Sequence, residues 1–184
     1  MRVVAGLAKG RILKAVPGAA TRPITDRVKV ALFDILAPAI AGASVLDLFS
    51  GTGAVGIEAL SRGAARVVFV DREPAAIRVI HENLKLTGLT AGAQVVRTDA
   101  FSFLERRGVP AFDVIYIAPP QYRSMWREAL QRVDRCAEWL VPDGQAIVQV
   151  DPREIEAVDL SVLREVDRRR YGSTLLVFYE RPGS

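Results

Sequence analysis

Residues 46–60, LDLFSGTGAVGIEAL, restrict the fold more than any other stretch of this sequence. An apolar run ends in Gly51-Thr52-Gly53, and a third glycine, Gly56, opens a helical pattern. Three glycines at this spacing let the backbone turn sharply and approach a ligand, with free helix N–H groups as donors. Strand, glycine turn and helix in that order predict the first crossover of a nucleotide-binding α/β sheet.

The remaining sequence keeps the same rhythm. Strands are predicted near 44–49, 66–70, 94–97, 112–117 and 145–150, with helices near 54–63, 73–87, 100–107 and 124–140. Nearly continuous apolar strands joined by helices imply a parallel sheet covered on both faces. An earlier helix, DRVKVALFDILAPAI, is predicted after a Thr25 or Asp26 cap, with Val28, Leu32, Ile35 and Leu36 on one face. The C-terminal LREVDRRRYGSTLLVFYER reads as an antiparallel hairpin around YGS. Residues 2–16 alternate as a short basic β-hairpin would, which divides the chain into a basic extension over 1–24 and a main domain over 25–184.

Charge separates these parts. Residues 1–29 carry seven basic side chains (Arg2, Lys9, Arg11, Lys14, Arg22, Arg27 and Lys29) against Asp26 alone, while the rest of the chain nets −2. A local basic segment on a near-neutral body predicts a polyanionic partner. The N-terminus lacks a signal-peptide pattern, and no apolar run nears the roughly 20 residues of a membrane span. The expected compartment is the cytoplasm. One cysteine, Cys136, leaves no disulfide framework and reads as a buried structural thiol; His81, the single histidine, reads as a helix-surface or satisfied residue. No metal-ligand spacing or Ser/His/Asp set is visible.

The glycine loop alone fits a dinucleotide-binding dehydrogenase, because Asp71 lies 20 residues after Gly51, where a carboxylate can hold ribose hydroxyls. Two further acids point elsewhere. Asp47 sits inside the first strand, where it suits an ammonium or sulfonium and repels a pyrophosphate. Asp99 follows the third strand, where it can accept a bond from an adenine amino group. Three acids at the ends of three successive strands describe a cationic amino-acid nucleoside, S-adenosylmethionine. Each acid could instead cap a helix.

The fourth strand ends in YIAPPQYR, residues 116–123. Two prolines fix a rigid extended loop whose carbonyls lack ladder partners. Such carbonyls can accept bonds from a substrate amine, and an aromatic beside them can stack on a planar base. Alternatively, the prolines merely stop the strand.

TRPITDRVKVALFDIL, VLDLFSGTGAVGIEALSRGA, VFVDREP with HENL, TDAFSFL and FDVIYIAPPQY together resemble the bacterial RsmD family, the ribosomal RNA small-subunit methyltransferases D. YGSTLLVFYER is similar to that family's closing hairpin. The resemblance implies a class I S-adenosylmethionine-dependent methyltransferase: a Rossmann-like, seven-stranded, mostly parallel sheet with a C-terminal antiparallel hairpin and an N-terminal β-hairpin extension. It implies methylation of guanine N2 in 16S ribosomal RNA. By the same resemblance Asp47, Phe49, Gly51 and Gly53 line the methionine end of the cofactor, Asp71 holds the ribose, and Asp99 with Ala100 the adenine. Ala118, Pro119, Pro120, Gln121 and Tyr122 form the catalytic loop, with Arg22, Thr25 and Arg27 near it.

One position departs. Such amino-group methylases carry Asp or Asn, then Pro-Pro, then Tyr or Phe; here the acid's place holds Ala118, and Gln121 displaces the aromatic to Tyr122. The expected substitutes are the carbonyls of Ala118 or Pro119, with the Gln121 amide, while Tyr122 stacks on a flipped guanine. Arg2, Lys9, Arg11, Lys14, Arg22 and Arg27 are the expected RNA contacts. The expected partner is small-subunit ribosomal RNA or an assembling 30S particle, bound by a monomer without metal. Two alternatives remain open: another RNA or DNA base or a protein amide as acceptor, or an RNA-binding module that has lost catalysis.

Overall fold

The structure, a computed structural model, describes residues 1–18, 23–121 and 124–183. Four apolar parallel strands sit at its centre: β1 (Ser44–Leu48), β2 (Arg66–Asp71), β4 (Phe112–Ile117) and β5 (Leu140–Val150). With β3 (Ala93–Arg97), β6 (Arg164–Tyr171) and β7 (Thr174–Glu180) they form one sheet in the order β3-β2-β1-β4-β5-β7-β6. β7 runs antiparallel to both β5 and β6. The predicted sheet and closing hairpin are both present.

Helices cover both faces, as buried parallel strands require. α1 (Asp26–Ile40), α2 (Ala54–Ser61) and α3 (Pro74–Thr87) pack on one face around Leu32, Phe33, Ile57 and Phe69. α4 (Ala100–Leu104) and α5 (Met125–Arg135) cover the other, around Phe103, Trp126, Leu130 and Trp139. Thr25 caps α1, its hydroxyl accepting from the Val28 N–H. The buried face of α1 is Val28, Lys29, Leu32, Phe33, Leu36 and Ile40; Ile35 is only half-buried.

Several sequence expectations need correction. The helix predicted over 124–140 stops at Arg135, and a short 3-10 turn, Ala137–Trp139, leads into a β5 that starts at Leu140. α4 ends at Leu104 rather than 107. Cys136, at the end of α5, is half-exposed rather than buried. His81 is exposed on α3.

The N-terminal hairpin is short: around the antiparallel bridge Arg2↔Ile12, the N–H groups of Leu13, Val3 and Gly10 donate to the carbonyls of Met1 (3.0 Å), Arg11 (2.9 Å) and Val3 (2.8 Å). Side-chain burial holds this segment to the main domain: Val3, Ala8 and Leu13 enter the core, while Leu7 and Ile12 stay 85% and 72% exposed. Its backbone is also tied to side chains of the main domain. Glu58 accepts from the N–H groups of Val4 (2.9 Å) and Ala5 (3.0 Å), and Ser61 Oγ from that of Ala8 (2.9 Å). Asn83 accepts from the Lys14 N–H (2.8 Å) and donates back to its carbonyl (3.1 Å).

Of the seven basic side chains in residues 1–29, Lys29 does not reach the surface. Its side chain is fully buried, 3.2 Å from the equally buried Glu58 carboxylate, and it also donates to the Arg2 carbonyl. The strand order places β1 between β2 and β4, so the crossovers leave it in opposite directions. Ligands of open α/β sheets bind at the carboxyl ends of strands at such a switch point.

Candidate active site

β1 delivers Asp47 to the carboxyl edge of the sheet, level with Phe69 of β2 and Tyr116 of β4. Immediately after it Phe49 adopts φ +65°, a left-handed conformation that costs a bulky residue on the order of 1–3 kcal/mol. The kink sets its ring edge-on to Phe101, 6.2 Å between centroids, at the wall of the cavity described below. Ser50 then fastens the turn to β2. Its hydroxyl donates to the Asp47 carbonyl (2.6 Å) and accepts from the Val70 N–H (2.9 Å). Gly53, at φ +75°, caps α2, and a Cβ on Gly56 would lie 2.3 Å from the Phe69 ring, so glycine permits α2 to sit this close to β2.

The turn and the ends of β1, β2, β4 and β5 border a cavity of about 770 Å³, within the range of cofactor and ligand sites. It brings together Asp47, Phe49, Gly51, Asp71, Asp99, Ala100, Ala118, Pro119, Pro120 and Gln121 of the expected site residues, and Thr25 and Arg27 line it too. Gly53, the α2 cap, is not among the lining residues. Arg2, Lys9, Arg11 and Lys14 are exposed but away from the lining, Arg2 paired with Asp26 (3.3 Å) and Lys14 with Glu82 (2.9 Å). Arg22 and Tyr122 lie outside the described residues.

The three acids differ in how they are held. Asp71 binds the turn itself, accepting from the Gly51 N–H at 2.8 Å and, through its other oxygen, from the Glu73 N–H at 2.9 Å. Asp99 caps α4, its Oδ1 accepting from the N–H groups of Phe101 and Ser102. The capping role is therefore real for Asp99, and it occupies one carboxylate oxygen. Asp47 accepts from the Gly56 N–H at 3.1 Å, is 2% exposed and has no ion-pair partner among the described residues. Burial pushes its pKa up to about 7, the Asp71 charge adds to this, and the Gly56 N–H opposes it. A buried carboxylate short of a cation, on a glycine-lined cavity with two further acids, fits a ligand bearing a positive charge beside a nucleoside.

Sequence reasoning missed four contributors. Tyr116 and Gln149 line the cavity beside Ala118, and the Tyr116 hydroxyl donates to Gln149 Oε1. Burial raises the Tyr116 pKa well above the usual phenol value, with the Asp47 charge adding to it, so the O–H stays protonated. The signal for Gln149 was present: one amide near the end of the apolar run QAIVQV. The β6–β7 turn, Tyr171–Thr174, reaches the same cavity from the far edge of the sheet. Asn83, fully buried in HENL, donates to the Thr52 carbonyl (3.0 Å) and so couples the glycine turn to the N-terminal segment.

The family model described as conserved hypothetical protein 95 matches residues 1–180. The ribosomal RNA small subunit methyltransferase D of Escherichia coli (strain K12) is 36% identical over 150 residues, 81% of this chain and 74% of that one. The YlbH protein of Bacillus subtilis (strain 168) is 39% identical over 186 residues, spanning the whole of both chains. Among solved structures, yhhF of Escherichia coli superposes with a TM-score of 0.85 at 32% identity, over 100% of this chain and 99% of that one.

Proposed function

The chain belongs to the family of the ribosomal RNA small subunit methyltransferases D, and on that premise we propose that it methylates the exocyclic N2 of a guanine in small-subunit ribosomal RNA. The observation that carries the chemistry is Asp47, a buried carboxylate with no cation partner among the described residues, on the wall of a cofactor-sized cavity. S-adenosylmethionine, when bound, supplies an electrophilic sulfonium methyl, onto which a nitrogen electron pair closes as the carbon–sulfur pair returns to sulfur.

The chain's own groups divide the work. Asp47 and the Gly51 turn hold the methionine end, Asp71 the ribose, and Asp99 with Ala100 the adenine. Ala118, Pro119, Pro120 and Gln121 form the floor on which the target base is set, with Tyr122 as its stacking platform. The guanine amino lone pair is delocalised into the ring, so the loop's task is alignment. A near-attack geometry supplies on the order of 7–11 kcal/mol, whereas one hydrogen bond to the amine contributes roughly 1–3 kcal/mol. This difference is why Ala118 in place of an acid does not abolish the reading.

Arg2, Lys9, Arg11, Lys14, Arg22 and Arg27 would grip RNA phosphates, residues 1–24 serving as the RNA-facing extension. Such binding weakens steeply with salt, the slope falling by about 0.7–0.9 for each contact removed. The test is transfer of labelled methyl to small subunits and to free 16S RNA, with the product nucleoside identified. N2-methylguanosine is the expected product. A different methylated nucleoside would move the acceptor, and cofactor binding without transfer to either substrate would overturn the enzyme reading.

A further inference from the structure

The Ala118 vacancy has a neighbour of the right chemistry. β4 and β5 pair in parallel, the last partners being Ile117↔Val148, so the next step sets Ala118 beside Gln149. Adjacent strands lie about 4.8 Å apart and corresponding residues share a face. Both residues line the cavity, on the same face as Tyr116 and, one strand further, Asp47. A carboxylate at 118 would project into space that the alanine methyl leaves open to the longer Gln149 side chain.

The amide is held in a defined sense. Its Oε1 accepts from the Tyr116 hydroxyl, which is buried and stays protonated. A carbonyl oxygen of this kind has two lone pairs, and Tyr116 takes one. Hydrogen bonds in series polarise one another, so the Tyr116 O–H makes the second lone pair a better acceptor. Tyr116 itself is level with Asp47 in the sheet, between the cofactor-side acid and the amide.

We propose that Gln149 is the side-chain acceptor for the target amine, positioned by Tyr116, in the role that an acid before Pro-Pro fills elsewhere. This rests on the methyl-transfer reading and deepens it. A guanine N2 carries two hydrogens and needs two acceptors to fix its plane: Gln149 Oε1 takes one and a loop carbonyl of Ala118 or Pro119 the other. With both hydrogens held, the nitrogen lone pair faces the methyl donor. Gln149 removes no proton. The nitrogen becomes cationic as the carbon–nitrogen bond forms, and the proton it then sheds passes to water.

The following measurements decide this. With the wild type active and its target guanine mapped, Gln149→Ala should lower kcat about 10–100-fold, the worth of one acceptor bond. Its affinity for S-adenosylhomocysteine, read by calorimetry, should be unchanged. Adding Ala118→Asp to Gln149→Ala should restore turnover at least tenfold, which a merely structural role for Gln149 does not predict. In a binding assay with S-adenosylhomocysteine present, the wild type should prefer a ribosomal RNA fragment with guanine at the target over one with inosine, which lacks the amine. Gln149→Ala should lose that preference. Tyr116→Phe should lower kcat by a smaller factor with the RNA KM unmoved. Wild-type kcat in Gln149→Ala, or an undiminished guanine preference, overturns the assignment while leaving the methylase reading intact. An inactive wild type overturns that reading instead, and this assignment with it.

Discussion

Asp47 and Glu58 are both buried, at 2% and 0% exposure, and the same short helix serves both. Their surroundings are opposite. Glu58 is ringed by donors: the N–H groups of Val4 and Ala5, Lys29 Nζ at 3.2 Å and Arg62 Nε at 2.9 Å. Asp47 has the Gly56 N–H at 3.1 Å and a second carboxylate, Asp71, close enough to raise its pKa. A buried charge supplied with partners is a fastener. One with no cation partner among the described residues, on a cavity wall, is the feature on which the proposed cofactor site rests. The difference separates what holds the N-terminal segment down from what the proposed function assigns to the cationic ligand.

The comparison breaks first if Glu58 can be removed cheaply. Taking away one partner of a buried ion pair costs about 3–5 kcal/mol, so Glu58→Ala should lower the urea midpoint by the equivalent amount. Limited proteolysis should then cut near Val4–Ala8, which the parent resists.

Asp47 should behave in the reverse sense. Its pKa rises from 3.8 unfolded to about 7 folded, so the folded state holds the extra proton between those values. Stability from this group is therefore highest near pH 4, falls as pH rises to 7, and by pH 8 the charge costs up to about 4 kcal/mol. Asp47→Asn should gain on the parent across that window, in denaturation curves taken from pH 4 to 8, while losing affinity for S-adenosylmethionine. A gap that stays constant with pH would show that Asp47 carries no buried charge.

Arg62 sharpens the contrast at intermediate scale. It bonds Glu58 at 2.9 Å and lies over the Phe33 ring at 5.0 Å, and its side chain is 16% exposed. Arg62→Ala should cost about 1–3 kcal/mol, less than Glu58→Ala, because Lys29 and two backbone donors still neutralise the carboxylate. The smallest effect is on binding. Only ionised Asp47 attracts a cation, so the S-adenosylmethionine Kd should rise about tenfold per pH unit below 7, or 1.4 kcal/mol, and level off above it. An affinity independent of pH between 5 and 8 would place the cationic group elsewhere.

Much of this was legible in the residues. Apolar runs at 44–49, 66–70 and 112–117 announce strands buried on both faces, and the glycines of SGTGAVG announce the turn between β1 and α2. Asp47, Asp71 and Asp99 could be placed because each lies within, ends or follows an apolar run, which fixes its height in the sheet. Lys29 belongs by charge to the basic segment, but its helical position, between Val28 and the Leu32–Phe33 pair, carries it into the core. Gln149 escaped notice because its meaning depends on which strand lies beside β4, and adjacency in a sheet is not written along the chain.

The sequence by itself determined the period of each element, the glycine turn and the three acids, since these follow from local backbone sterics and hydrophobic alternation. Only the tertiary structure decided which buried carboxylate is satisfied, that the N-terminal segment is fastened through Glu58, and that Gln149 stands beside Ala118. Those outcomes depend on partners dozens of residues distant, and the cost of burying a charge is set by what surrounds it in space.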